Sequence, residues 1–310
     1  MIVLEHLTKI YDGRAVVEDV SLTVQPGEIA VLVGASGSGK TTVLRMINRL
    51  VEPTVGRVLI DGKDIAGVPP HLLRRRIGYA IQGDGLFPHR TVAQNIATVP
   101  RLLGWQGDRT AARIDTLLKM FQMDPAVFRD RMPHELSGGQ RQRVGVARAL
   151  AAQPDLLLMD EPFSALDPLI RGRAQQDLRA IQRNLGTTLI LVTHDMEEAV
   201  TLGDRIAVLD AGRLVQFDTP AALLTTPATR VVAEMVGAED RPFRLLSLSP
   251  VAALTRPGSA KGPPISPRSS LRDALAECLW SGRSTLPVAG GGVVTLADLR
   301  AAARPPGTVT

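Results

Sequence analysis

Gly34-Ala-Ser-Gly-Ser-Gly-Lys-Thr-Thr42 decides the fold of this chain. It satisfies the phosphate-binding loop pattern G-x-x-x-x-G-K-[ST] at every fixed position. Upstream, Glu28-Ile-Ala-Val-Leu-Val33 is an apolar run of strand type, and downstream Val43, Met46, Ile47 and Leu50 share one helical face. That is the strand, loop and helix context the motif requires, and it makes a nucleotide triphosphate the first ligand to consider. The glycines let backbone N–H groups approach phosphate oxygens, and the helix N-terminus adds positive potential. Lys40 reaches the terminal phosphates and Thr41 can ligate Mg2+. Gly34, Ser36, Gly37, Ser38, Gly39, Lys40, Thr41 and Thr42 are therefore the candidate nucleotide-binding residues.

The 310 residues allow one good-sized α/β domain plus something smaller, and 45% hydrophobic with 22% charged residues is the composition of a soluble globular protein. A net charge of +5 suits nucleic acid, an anionic membrane surface or a nucleotide, and does not separate them. Cys278 is the sole cysteine, so no intramolecular disulfide can form and a reducing compartment is expected. The N-terminal residues lack the charged and apolar regions of a signal peptide. Apolar runs such as Ile29–Val33 and Leu189–Val192 are far shorter than the roughly 18 residues of a membrane span, so work at a membrane implies a peripheral subunit.

In chain order, Ile2–Leu7 and Ala15–Val24 read as strands around an Asp12-Gly13 turn. Tyr11, just before that turn, can stack on an adenine ring or simply pack. Gly56–Gly62 reads as a further hairpin arm, and a strand leads to Gln82, a strand-end polar residue. From Pro88 the pattern turns helical, with Ile114, Leu117, Leu118 and Phe121 on one face, giving a helical insertion over about 88–152. Leu136-Ser-Gly-Gly-Gln140 then opens a helix from Arg141 to Ala152, and a Ser-Gly-Gly turn at a helix N-terminus suits an anion. Leu156–Glu161 is an apolar strand ending in two carboxylates. Ligands in such sheets gather at the carboxyl ends of strands, so Asp160 can hold Mg2+ and Glu161 can polarise an attacking water. Asp167-Pro168 starts a helix to about Leu185, and Thr188–Thr193 is a buried strand that delivers His194 to the same edge, with Asp195 capping the next helix. His194 is there either as a structural residue or as a contact for a γ-phosphate.

These motifs together resemble the ATP-binding subunit of ABC transporters over about residues 1–237. The resemblance implies a P-loop NTPase core of ABC ATPase type, α/β in class, with an antiparallel β subdomain and a helical subdomain. In that likeness Gly34–Thr41 is the Walker A loop, Leu156–Asp160 the Walker B strand, Glu161 the catalytic glutamate and His194 the switch histidine. Tyr11 matches the adenine-stacking aromatic, Gln82 the Q-loop residue, which would join Thr41 and Asp160 around Mg2+, and Ser164–Asp167 the D-loop. Leu136, Ser137, Gly138, Gly139 and Gln140 match the signature motif, which in the family acts on the ATP of a partner. Two such chains would bind head to tail, each signature closing over the γ-phosphate held by the other. The resemblance further implies ATP and Mg2+ as cofactors, transmembrane permease subunits as partners, an indirect link to an extracytoplasmic solute-binding protein, no nucleic acid, and a peripheral place on the cytoplasmic face of the inner membrane. The permease surface would include Gln82, Leu86, Phe87, Pro88 and the helix leading through Asn95. The stretch Arg75–Pro100 and Asp167-Pro-Leu-Ile-Arg171 are similar to importers of quaternary ammonium osmoprotectants such as glycine betaine, choline and carnitine; an importer for another small solute, such as an amino acid, and a soluble non-transport ABC ATPase are the rival readings.

Residues 238–270, rich in Pro, Ser, Gly and basic residues, read as a flexible linker. Residues 271–303 read as helix, strand, then strand into helix, forming a small α/β appendage. They resemble one shortened cystathionine-β-synthase-type (CBS) repeat, with 304–310 as a tail.

Overall fold

The computed structural model describes residues 1–81, 83, 85–164 and 166–304, the side chains of 168–170 excepted. The chain forms two compact units, one of residues 1–198 and 202–217, the other of 199–201 and the chain from 218 onward.

In the first unit, β1 (Ile2–Tyr11) and β2 (Arg14–Val24) form the hairpin set by Asp12 and Gly13, whose φ values of 48° and 78° suit a turn with both central residues left-handed. With β4 (Val55–Ile60) and β5 (Lys63–Asp64) they make an antiparallel sheet in the order β2-β1-β4-β5. The second sheet contains β3 (Ile29–Val33), β6 (Ile77–Ala80), β7 (Leu156–Asp160), β8 (Thr188–Thr193), β9 (Arg205–Asp210) and β10 (Arg213–Asp218) in the order β10-β9-β3-β8-β7-β6. β9, β3, β8, β7 and β6 run parallel. Every residue of β3, β7 and β8 is buried. This explains why these strands read as unbroken apolar runs: a parallel strand covered on both faces has no solvent side on which to place polar residues.

The helix after the phosphate loop spans Lys40–Ile47 and buries Val43, Leu44, Met46 and Ile47. Leu50 does not continue that face. Asn48 caps the helix, Arg49 turns left-handed at φ 49°, and Leu50 is 46% exposed. The helical insertion comprises Val92–Ile96, Thr98–Leu102, Gly107–Met120, Pro125–Phe128 and Gly138–Leu150. Ile114, Leu117, Leu118 and Phe121 are all buried, as their spacing predicts. The last of these helices starts at Gly138, earlier than the expected Arg141, because the Ser137 hydroxyl and the Gln140 side chain form a capping box that lets both glycines enter the first turn.

The second unit corrects the expected linker. Arg241–Ser247 is helical, Val251–Leu254 is a 3-10 turn, and Leu246 and Val251 are fully buried in one core with Leu271, Cys278, Leu286, Val294 and Leu299. Backbone bonds lace the Pro-rich stretch to that core, Leu271 N–H to Ser249 C=O and Ile265 N–H to Pro287 C=O among them, both at 2.9 Å. A few well-placed apolar side chains outweigh a composition that reads as coil. The second unit also takes in 199–201 and 218–237, residues that the motifs had grouped with the first. Within it, helix Leu271–Ser281, β11 (Thr285–Pro287), β12 (Val293–Thr295) and helix Leu296–Ala302 follow the expected order.

Candidate functional site

Parallel strand pairing brings the chemistry to one edge. Val33 at the end of β3 lies opposite Thr193 at the end of β8, and Asp160 at the end of β7 lies opposite Val192. The phosphate loop, the two carboxylates and His194 therefore leave the sheet side by side, where ligands of such sheets gather.

The loop is tightly packed. A Cβ at Gly34 would sit 2.2 Å from the Leu209 carbonyl oxygen, and at Gly39, whose φ is +96°, 2.7 Å from that of Val16. These glycines are dictated by close backbone approach and, at Gly39, by a left-handed conformation. Lys40 is buried, and its ammonium donates to the carbonyls of Gly34 and Ala35, both at 2.8 Å. Burial lowers the Lys40 pKa, while the nearby charges of Glu161 and Asp160 oppose that fall. Thr41 donates its hydroxyl to Asp160 Oδ1 at 3.0 Å. Burial pushes the Asp160 carboxyl above its ordinary range, against the Thr41 hydrogen bond and the Arg45 charge.

Glu161 follows with φ 46°, a left-handed conformation that costs a non-glycine residue of order 1 kcal/mol or more and is held by its N–H bond to Val192 C=O at 2.9 Å. In that conformation Glu161 Oε1 lies 3.2 Å from His194 Nδ1. The oxygen donors of Thr41 and Asp160 fit Mg2+, which takes one or two protein ligands alongside substrate phosphates. Among the described residues no cluster of three His, Cys, Asp or Glu side chains forms a separate metal cage.

Other predicted residues fall elsewhere. Tyr11 is 44% exposed at the β1–β2 hairpin tip, with Lys9 Nζ 4.9 Å from its ring centre. Gln82 lies outside the described residues. Ser137 is the N-cap of helix Gly138–Leu150, and its capping bonds with Gln140 close within the turn itself. Leu136 is buried and Asp167 is exposed before helix Pro168–Leu185. On the expected permease surface Phe87 is exposed, with the guanidinium carbons of Arg90 and Arg148 at 4.6 and 5.8 Å from its ring centre. Leu86 and Asn95 are buried, however. Asn95 braces the loop from inside, accepting from Phe87 N–H and donating to the carbonyls of Phe87, Arg90 and Thr91.

Two cationic side chains escaped the sequence reading. Arg45 lies near Tyr79 and Asp160, where its charge opposes the rise that burial imposes on both groups, and Arg171 pairs with Asp195 at 3.5 Å. Each stands four positions after a residue already singled out, Thr41 and Asp167, and so on the same helical face; that spacing was the available signal.

The ABC transporter family model matches residues 17–164. The glycine betaine uptake system ATP-binding protein YehX of Escherichia coli (strain K12) is 48% identical over 289 residues, 93% of this chain and 94% of that protein. The glycine betaine/carnitine/choline transport ATP-binding protein OpuCA of Bacillus subtilis (strain 168) is 50% identical over 240 residues, 77% of this chain and 63% of that protein. Among solved structures, a dimeric post-hydrolysis state of the ATP-binding cassette MJ0796 bound to ADP and Pi aligns at TM-score 0.64 and 33% identity, covering 71% of this chain and 99% of that one. A likeness this extensive, carried through the phosphate loop and the strand edge beside it, means that the chain belongs to the ABC transporter family.

Proposed function

We propose that this chain is the ATP-hydrolysing subunit of an importer, powering solute uptake through a separate transmembrane permease, with quaternary ammonium osmoprotectants such as glycine betaine, choline or carnitine as the solutes. The convergence of Lys40, Thr41–Asp160 and Glu161–His194 at one sheet edge is the observation that carries the ATPase reading. The relatives' solutes supply the substrate class.

Lys40 and the loop N–H groups hold the phosphates; Thr41 and Asp160, with Gln82 as the family likeness implies, would hold Mg2+, which would neutralise charge on the phosphoryl group. Glu161 takes the proton of an in-line water, and His194, which touches Glu161, faces the γ-phosphate. Tyr11 stacks on the adenine. The Ser137 turn is self-capped within this chain, leaving its glycine N–H groups for the ATP of a second copy bound head to tail, with Asp167 at the same junction. Among the described residues no helix is long and apolar enough to cross a membrane. The family likeness supports a place on the cytoplasmic face of the membrane against the permease, with a solute-binding protein acting at one remove. Exposed Phe87 belongs to the permease surface, and residues 271–303 are a single CBS-like repeat that serves as a packing or dimer-supporting appendage.

The test is ATP turnover by the chain with its permease in lipid, with and without binding protein loaded with glycine betaine, choline or carnitine. Stimulation by one loaded solute is expected, together with loss of turnover in Glu161→Gln. Turnover that ignores both permease and solute would overturn the importer assignment, and wild-type turnover in Glu161→Gln would overturn the assigned base.

A further inference from the structure

The loop that runs from Glu161 to Asp167 is tied to the His194 loop at both of its ends. At the near end His194 Nδ1 meets Glu161 Oε1 at 3.2 Å. At the far end the bridge is Arg171. Its guanidinium donates to the Leu166 carbonyl at 3.0 Å through one terminal nitrogen and lies 3.5 Å from Asp195 Oδ2 through the other. Asp195 is committed to the His194 loop. Its N–H donates to Thr193 Oγ1 at 3.1 Å, and its other oxygen, Oδ1, accepts from Glu197 N–H at 2.8 Å and Glu198 N–H at 3.3 Å.

Arg171 stands in the first turn of helix Pro168–Leu185, a turn with no acidic residue. A cation there opposes the helix dipole, so intrinsic helix electrostatics do not favour it. The two partners account for its presence. A planar guanidinium can hold a carbonyl and a carboxylate on two separate nitrogens in fixed relative positions, which a lysine ammonium does with much less geometric control.

We propose that Arg171 is a positioning residue for ATP hydrolysis: with Asp195 it clamps the loop carrying Glu161 and Asp167 to the loop carrying His194, so that the two loops move as one. The proposal rests on the ATPase reading above but makes no use of the solute. If the junction with a second copy displaces Asp167, the displacement reaches His194 through this clamp, as well as through the Glu161 contact.

The test is a cycle of Arg171→Gln, Asp195→Asn and the double variant in the full chain, with Arg171→Lys beside them. Asp195→Asn keeps an oxygen to cap the helix and removes the charge. Each single variant is expected to lower kcat by about five- to fiftyfold while the KM for ATP and the Tm stay near wild type, and the double variant is expected to be no slower than the worse single. Arg171→Lys should recover part of the loss. Independently of turnover, amide exchange in Arg171→Gln should quicken at 163–167 and 194–198 together. Unchanged exchange at 194–198, losses that multiply in the double variant, or a kcat fall that tracks Tm would each overturn the clamp. A wild-type chain that does not hydrolyse ATP would instead overturn the ATPase reading, with the exchange experiment still deciding the clamp.

Discussion

The burial of Glu198 predicts that stability at the sheet edge depends on pH. Glu198 is 5% exposed; its Oε2 accepts from the Thr193 hydroxyl at 2.9 Å, and Oε1 has no hydrogen-bond partner among the described residues. Burial pushes its carboxyl from an ordinary 4.5 up to about 7, with Asp195 adding to the rise while the Thr193 hydrogen bond, Arg171 and His194 oppose it. The folded chain thus holds this proton more tightly than the unfolded chain. Below 4.5 both states are protonated and the site contributes its full stability; as pH rises the unfolded state ionises first, and the contribution is lost through about 7. At about 1.4 kcal/mol per pH unit, the full loss is on the order of 3 kcal/mol. Glu198→Gln keeps an acceptor for Thr193 and removes the ionisation. Its amide places N–H groups where Oε1 had no partner, which costs about 1–3 kcal/mol independent of pH. The pH dependence of the difference is therefore the readout. Native-state amide exchange in β8, corrected for intrinsic rates, should show the variant gaining on wild type by on the order of 3 kcal/mol from below pH 5 to pH 8. Parallel pH curves for the two proteins would refute the reasoning.

Gly39→Ala forces a Cβ to within 2.7 Å of Val16 O at a φ of +96°; it should destabilise the first unit by on the order of 2–4 kcal/mol and weaken ATP binding, and an unchanged Tm with unchanged nucleotide affinity would contradict the packing described. Lys40→Ala and Ser137→Arg should each be inactive alone, yet recover about a quarter of wild-type turnover when mixed, because half of the random pairs then hold one intact site built from both chains. ATPase assays of the mixture against each variant alone decide it, and no recovery would count against the head-to-tail site.

What the sequence could disclose depended on how local the cause was. The phosphate loop was legible because its spacing is set by the loop itself, and β3, β7 and β8 were legible because burial on both faces leaves nothing polar in them. Leu50 was misplaced by periodicity, since the helix stops at a left-handed Arg49 that no apolar pattern announces. The stretch 238–270 was misread for the opposite reason: its order comes from Leu246 and Val251 reaching a core built by residues after 270, a nonlocal gain that composition does not record. Asn95 followed suit, a polar residue that looked like surface and is buried because the carbonyls of the 87–91 turn need its amide.

The same distinction explains the shape of the site. Glu161 and His194 were each identifiable at the end of an apolar strand, but their meeting is produced by parallel pairing of β7 with β8 and by the left-handed turn at Glu161. Arg171 shares a helical face with Asp167, a local fact, whereas its partner Asp195 arrives from the next strand and is invisible at that spacing. The strand ends thus set where Glu161 and His194 stand, and in the clamp we propose the loop-to-loop bonds set how far they can shift. If only the first mattered, Arg171→Gln would leave turnover untouched, because no strand residue changes; a kcat that falls while ATP affinity and Tm hold would place control of hydrolysis in the bonds between the loops.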